Sequence, residues 1–253
     1  MTAIIHINKR KNGKNFAQAS LQAADWIMRF GYSTKDILEN HLFQPGQAQG
    51  LCRDLFARGW ATEIDCHREG ERYIIVLTQA GYNAVRDEYD PSVEYPELDL
   101  QYCDFSRCQD LLLLQKATAD NLRVGTIEQF WTPRMIRFQS GYPSPGVEWL
   151  MKDGDLISVD ADTGCDYPWR HELCVNLAIR MGEENPRYER AALFATEYEI
   201  IQDYHTRLAA GNVLQIWDAA DPVEVVPIGE IKVPDLKSKL VVYLTDLDQD
   251  IVI

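Results

Sequence analysis

The chain has 253 residues, 46% of them hydrophobic and 25% charged, a profile that excludes a disordered polymer and suits one large domain or two of ordinary size. Its apolar runs, such as residues 111–114, are too short to span a bilayer, and the opening MTAIIHINKRKNGKN has no signal-peptide core. A cytoplasmic protein with no membrane partner is therefore expected. The net charge of −14 is spread unevenly: residues 1–90 hold 11 basic and 11 acidic side chains, and residues 91–253 hold 14 and 28. A neutral first part with local basic clusters is compatible with a polyanionic partner, whereas the acidic remainder repels one unless it holds a cation.

Lys9-Arg10-Lys11 and Lys14 form a basic arm ahead of the first periodic segment. Phe16, Ala19, Ala23, Trp26, Ile27 and Phe30 recur at helical spacing and predict an amphipathic helix that Gly31 ends. Ser33-Thr34-Lys35-Asp36 has the form of a capping box and predicts a second helix with Ile37, Leu38 and Leu42 buried. Pro45 suits the first turn of a third helix, where a missing N–H leaves no bond unmade. Ala48, Leu51, Cys52, Leu55 and Phe56 form its apolar face, and Gly59 ends it. Residues 60–66 and 72–77 read as two strands around the turn His67-Arg68-Glu69-Gly70, and Thr78 caps a last helix through Ala84 and Val85.

Helix, helix, helix, hairpin, helix is the order of a winged helix-turn-helix domain, predicted over residues 1–90. In that architecture the third helix enters the major groove and the hairpin reaches the neighbouring backbone. Gln49 and Arg53, four apart and opposite the apolar face, offer amide and guanidinium groups suited to base edges. Gln47 at the helix start and Arg68 and Arg72 on the wing suit phosphates. Double-stranded DNA is the expected partner of this module; the other reading is a protein-contact module whose polar residues are only solvated.

Residues 91–105, acidic and proline-containing at their start, read as a linker. Residues 106–253 read as an α/β layer with an acidic C-terminal tail. The predicted helices are 106–122 and 197–208. The predicted strands are 134–139, 146–151, 156–160, 173–179, 191–195 and 213–217; residues 218–229 and the tail carry no clear pattern. The six cysteines, at 52, 66, 103, 108, 165 and 174, form no CxxC pair, so free thiols are expected. Cys165, Asp166, His171 and Cys174 lack zinc-finger spacing, and no metal ligand set is assigned.

Val76-Leu77-Thr78-Gln79-Ala80-Gly81 is similar to the LT-x-x-G close of many bacterial winged helices. Among these are the replication-relaxation proteins and the MOBC-type relaxases of mobilisable plasmids, in which a domain resembling the PD-(D/E)XK restriction-endonuclease fold follows. The second resemblance covers about residues 106–217. It rests on Phe130-Trp131, the turn Lys152-Asp153-Gly154-Asp155, the strand expected around 171–180, and Pro186-Arg187-Tyr188-Glu189. The fold it implies is α+β to α/β: a winged helix followed by a mixed-sheet, restriction-endonuclease-like domain.

Nuclease sites of that kind use a hairpin Asp and, on the next strand, an acid two residues before a Lys or second acid, which together hold Mg²⁺. Asp155 (or Asp153) answers to the first and Glu172 to the second. Yet Glu172-Leu173-Cys174 lacks the lysine, and Cys174-Val175-Asn176 replaces both acids, with Arg180 further along. Cysteine and asparagine are poor partners for a hard cation. The resemblance thus implies a degenerate site without cofactor, in a DNA-binding accessory or regulatory protein of a bacterial mobile element. Its acidic domain is expected to contact a protein partner or another copy of the chain. One alternative is an active magnesium-dependent DNA-nicking relaxase built on Asp155 and Glu172; another is a winged-helix transcription regulator with a sensor domain.

Overall fold

The computed structural model describes residues 16–66, 73–88, 107–140, 146–164, 167–183, 187–217, 227–245 and 251–253. The fold is mixed α+β, in two compact units: Met1–Val147 with Asp250–Ile253, and Glu148–Gln249. Among the described residues no helix is long and apolar enough to cross a membrane.

In the first unit, α1 (Phe16–Phe30) buries Ala19, Ala23, Trp26, Ile27 and Phe30, following the predicted stripe. Gly31, with φ of 97°, donates to Ile27 O at 2.7 Å and ends the helix in a left-handed conformation that costs glycine little. Thr34 Oγ1 accepts the Ile37 N–H at 3.3 Å and opens a short segment of π-type turns, Ile37–His41. Ile37, Leu38 and Leu42 are buried as expected.

The third helix, α2 (Leu51–Ala57), begins later than Pro45. Pro45 and Gly46 instead form the centre of a turn closed by the Gln47 N–H on Gln44 O at 3.0 Å. Positive φ at Gly46 (75°) and Gly50 (83°) is incompatible with a continuous helix. Gln47 and Gln49 therefore precede the helix, while Arg53 lies on it. Leu51, Cys52 and Leu55 form its buried face, but Phe56, expected there, is exposed.

Strands β1 (Ala61–Asp65) and β2 (Tyr73–Leu77) pair antiparallel, Ala61 opposite Leu77. Ser33 and Ile75 exchange backbone bonds of 3.0 and 2.8 Å, adding a bridge on the other side of β2. The hairpin turn, with Arg68 and Arg72, lies outside the described residues. Thr78 Oγ1 accepts the Gly81 N–H at 3.3 Å and donates to Gly59 O at 2.5 Å, capping α3 (Gln79–Glu88) and tying it to the end of α2.

Three further elements complete this unit: α4 (Cys108–Val124), β3 (Ile127–Trp131) and α5 (Pro133–Ser140). Residues 134–139 are thus helical, not the strand expected. Thr132 Oγ1 accepts the Met135 N–H at 3.3 Å and Pro133 occupies the first turn, both helix-start signals. The core is aromatic where α1 meets β3, with Phe30 and Phe130 stacked at 5.7 Å and Trp26 at 5.3 Å from Phe130.

Helix α4 buries polar side chains as well as leucines. Trp26 Nε1 donates to Gln115 Oε1 at 3.0 Å, and Gln115 Nε2 donates to Tyr32 O at 2.8 Å. Asp120 Oδ1 meets His41 Nδ1 at 2.8 Å and Arg123 Nη2 at 2.9 Å, while its Oδ2 accepts the Ile251 N–H at 2.9 Å. Asn121 completes the clasp, donating to Ile251 O at 2.8 Å and accepting from Ile253 N–H at 3.2 Å.

The second unit opens with β4 (Val147–Met151), whose tight turn leads into β5 (Leu156–Asp162). Next come α6 (Tyr167–Gly182), β6 (Arg190–Ala195), α7 (Tyr198–Arg207), β7 (Val213–Trp217), β8 (Pro227–Lys232) and β9 (Leu240–Leu244). The strands run β4-β5-β6-β9, and β5, β6 and β9 are parallel, with Asp160 level with Leu193 and Leu193 level with Val242. Strands β7 and β8 form a separate antiparallel ribbon.

Residues 173–179, expected as a strand, are the middle of α6. Leu173, Cys174, Leu177, Ala178 and Met181 recur at helical spacing and pack on Ala191, Leu193 and Ala195 of β6 and on Ile200, Ile201 and Tyr204 of α7. Topology requires this as well, because parallel β5 and β6 need a crossover between them. Cys52, Cys66, Cys108 and Cys174 are free thiols.

Candidate functional site

Gln47, Gln49 and Arg53 are all exposed at the start of α2, and Gln49 and Arg53 line a shallow depression with Gly50, Asp54 and Ala57. The acid beside Arg53 is taken up elsewhere. Asp54 Oδ2 accepts from Arg58 Nε at 2.7 Å and from the Ser20 hydroxyl at 2.5 Å, and these bonds hold the carboxyl below the usual carboxylate range. Glu39 Oε1 accepts the Cys52 N–H at 3.1 Å, satisfying an orphan donor at the helix start. Burial, with Glu39 nearby, pushes the Cys52 thiol up to about 12, so it is no nucleophile. What remains toward solvent is two amides and one guanidinium, groups able to donate to base edges or phosphate oxygens.

The two carboxylates that the nuclease resemblance singles out do not converge. Asp155 lies at the β4–β5 turn, where Arg190 Nη2 stands 2.9 Å from it and 3.7 Å from Asp153. Glu172 is exposed on α6. Two residues before it, Arg170 pairs with Asp162 at the opposite end of β5. Seven residues of strand separate Asp155 from Asp162, a length of roughly 23 Å at ~3.3 Å per residue. Ligands of one Mg²⁺ must all lie about 2.1 Å from it. Asp155 and Glu172 do not fit that ion.

The sequence pattern missed a second set of residues. Ser158, Asp160 and Asp162 alternate along β5, so they share one face, and all three are buried. Arg180 donates to Ser158 Oγ, to Asp160 Oδ2 at 2.9 Å and to Asn176 O at 3.2 Å. Arg170 Nε reaches Asp162 Oδ2 at 2.7 Å, Tyr204 Oη donates to the same oxygen at 2.9 Å, and the Gly164 N–H caps Asp162 Oδ1 at 2.9 Å. On β4, buried Glu148 accepts from Arg187 at 2.7 Å and from the Tyr188 hydroxyl, whose pKa burial and Glu148 raise. Each of these acids already has a guanidinium beside it, and a cation entering there would face like charge as well as desolvation. Of the carboxylate oxygens of Glu148, Asp160 and Asp162, only Asp160 Oδ1 has no hydrogen-bond partner among the described residues. The available signal was polar residues at every second position of a predicted strand.

His171 is not a ligand candidate in this geometry. Its ring stacks on Trp217 at 4.2 Å and Nε2 bonds Gln215 O at 2.7 Å. Burial pushes the Cys174 thiol up to about 12. Cys165 and Asp166 lie outside the described residues. Compared with protein-family models, curated proteins and solved structures, the chain matches none.

Proposed function

We propose that the protein is a DNA-binding accessory or regulatory factor whose first unit carries a winged helix that engages duplex DNA. The second unit is a nuclease-like layer that serves protein contacts and does not cut. A bacterial mobile element is the setting that the resemblance to replication-relaxation and MOBC-type proteins implies. One observation carries the reading. Gln47, Gln49 and Arg53 stand exposed together at the start of the third helix of a helix–helix–helix–hairpin–helix order, where such folds present their base-reading residues. The arginine pairing of Asp155, Asp160 and Asp162 supports a non-cutting second unit.

Fluorescence anisotropy with labelled duplexes tests the assignment. Arg53→Ala is expected to weaken specific binding by about 1–3 kcal/mol. Arg68→Ala should weaken all duplexes alike and flatten the salt dependence. Unchanged affinity after alanine replacement of Gln49, Arg53, Arg68 and Arg72 together would overturn it.

A further inference from the structure

We propose that the outer edge of β9 is a self-association surface, at which β9 of a second copy of this chain adds antiparallel and continues the sheet. This deepens the protein-contact reading of the second unit, on which it rests, and is independent of duplex binding.

Strand β9 ends the order β4-β5-β6-β9, so one of its edges is unpaired in the sheet. The Ala191 N–H bonds Lys239 O and the Thr245 N–H bonds Ala195 O, which directs the backbone of residues 239 and 245 at β6. Alternation then directs Val241 and Tyr243 at β6 too, and turns the backbone of Leu240, Val242 and Leu244 outward. The Leu240 N–H is taken by Leu236 O at 2.9 Å. Among the described residues, the outward N–H and C=O groups of Val242 and Leu244 have no backbone partner. Natural edges are guarded by charge, proline or a bulge; Leu240-Val241-Val242-Tyr243-Leu244 carries none of these.

The two ends of the strand identify the occupant. Leu244, at the C-terminal end, is 58% exposed. Beside the N-terminal end lies a cavity of about 530 Å³ whose wall holds Leu208, Leu236, Leu240 and Val242, with Asp235 and Lys237 also lining it. Leu240, Val242 and Leu244 share one face of the strand. If Val242 meets Val242 of the second copy, each Leu244 falls opposite the other copy's Leu240, on the cavity side of the sheet. The exposed leucine of each copy then enters the cavity of the other, and the same contact is made twice, as an isologous interface requires.

Sedimentation velocity of the full chain without DNA, over a concentration series, tests the proposal together with amide hydrogen exchange. The expected result is a dimer in which the Val242 and Leu244 amides gain protection as concentration rises. Leu244→Lys should weaken the dimer about tenfold or more, because the leucine's apolar contact with Leu208, Leu236, Leu240 and Val242 is lost and an ammonium is brought beside Lys237. Its melting temperature at low concentration should match the parent's, since the position is exposed, and Leu244→Met should keep the dimer. A monomer at every concentration overturns the proposal, as does a dimer indifferent to Leu244→Lys. Duplex affinity measured on the same samples separates the two readings. A monomer that binds duplex overturns self-association alone, and a dimer that binds none overturns DNA binding alone.

Discussion

A Cβ at Gly81 would lie 2.1 Å from the carbonyl oxygen of Trp60. That obstacle is backbone, held in place by the Thr78 N–H bonded to Trp60 O at 3.0 Å, so no side-chain rotation relieves it. Gly81→Ala is therefore expected to cost at least the ~1–3 kcal/mol of ordinary overpacking, seen as a lower urea midpoint at unchanged slope. Asp120 offers a second test. Burial opposes its ionisation, but hydrogen bonds from His41, the Ile251 N–H and Arg123 outweigh burial and hold the carboxyl below the usual range. Its folded pKa is thus below its unfolded one. The stability it contributes is complete above the unfolded value, about 4, and is lost as pH falls through the folded value. Denaturation at neutral pH should find Asp120→Asn less stable by about 1–3 kcal/mol, and in acid the gap between variant and parent should narrow.

Among the elements, those marked by a helical apolar stripe or by a short apolar run between turn residues were legible. Helix α1 shows its stripe, and the β1–β2 hairpin, β4, β5, β6 and α7 follow from short apolar runs between turn residues. The failures have physical causes. Helix α6 is buried along Leu173, Cys174, Val175, Leu177 and Ala178, a nearly continuous apolar run that period alone cannot separate from a strand. In α5 the capping residues Thr132 and Pro133 outweigh local strand propensity. Strand β9 carries the same apolar-run signal, Leu240-Val241-Val242-Tyr243-Leu244, but is obscured by the acidic sequence that follows it, and β8 is obscured because it is almost wholly exposed. The site divides in the same way: exposure at Arg53 follows from a helical wheel, whereas Gln47 and Gln49 lie in the turn before α2 and the arginine partners of Asp160 and Asp162 come from α6 once it is a helix. Helix α4 carries its own prediction. A fragment ending at residue 89 loses Gln115 as the partner of Trp26 and Tyr32 and loses the Phe130 ring that packs on Trp26 and Phe30, which returns part of the apolar face of α1 to water. It should show no cooperative near-ultraviolet melting transition, and a fragment extended through residue 147 should regain one.

For the whole molecule, the arrangement of charge decides whether the second unit can handle DNA chemically. Residues 91–253 carry 14 more acidic than basic side chains, and the carboxylates on β5 are already paired with arginine. Purified protein with millimolar Mg²⁺ or Mn²⁺ is therefore expected to leave supercoiled plasmid intact on agarose gels. Relaxation that disappears in Asp155→Ala, Glu172→Ala or Asp160→Ala would make the protein a relaxase instead.

The clasp on α4 also bears on how the protein is made. Asp120 and Asn121 take their partners from Ile251 and Ile253, about 130 residues later in the chain. At a synthesis rate of about 5–20 residues per second, that interval is roughly 7–26 s on the ribosome. Through that interval α1, α4 and the hairpin have all emerged and are free to pack, while the Asp120 carboxylate still relies on His41, Arg123 and water. The last bond of the first unit closes only after every strand of the second has been translated, so an interrupted nascent chain would expose an unfinished clasp to the cell's proteases.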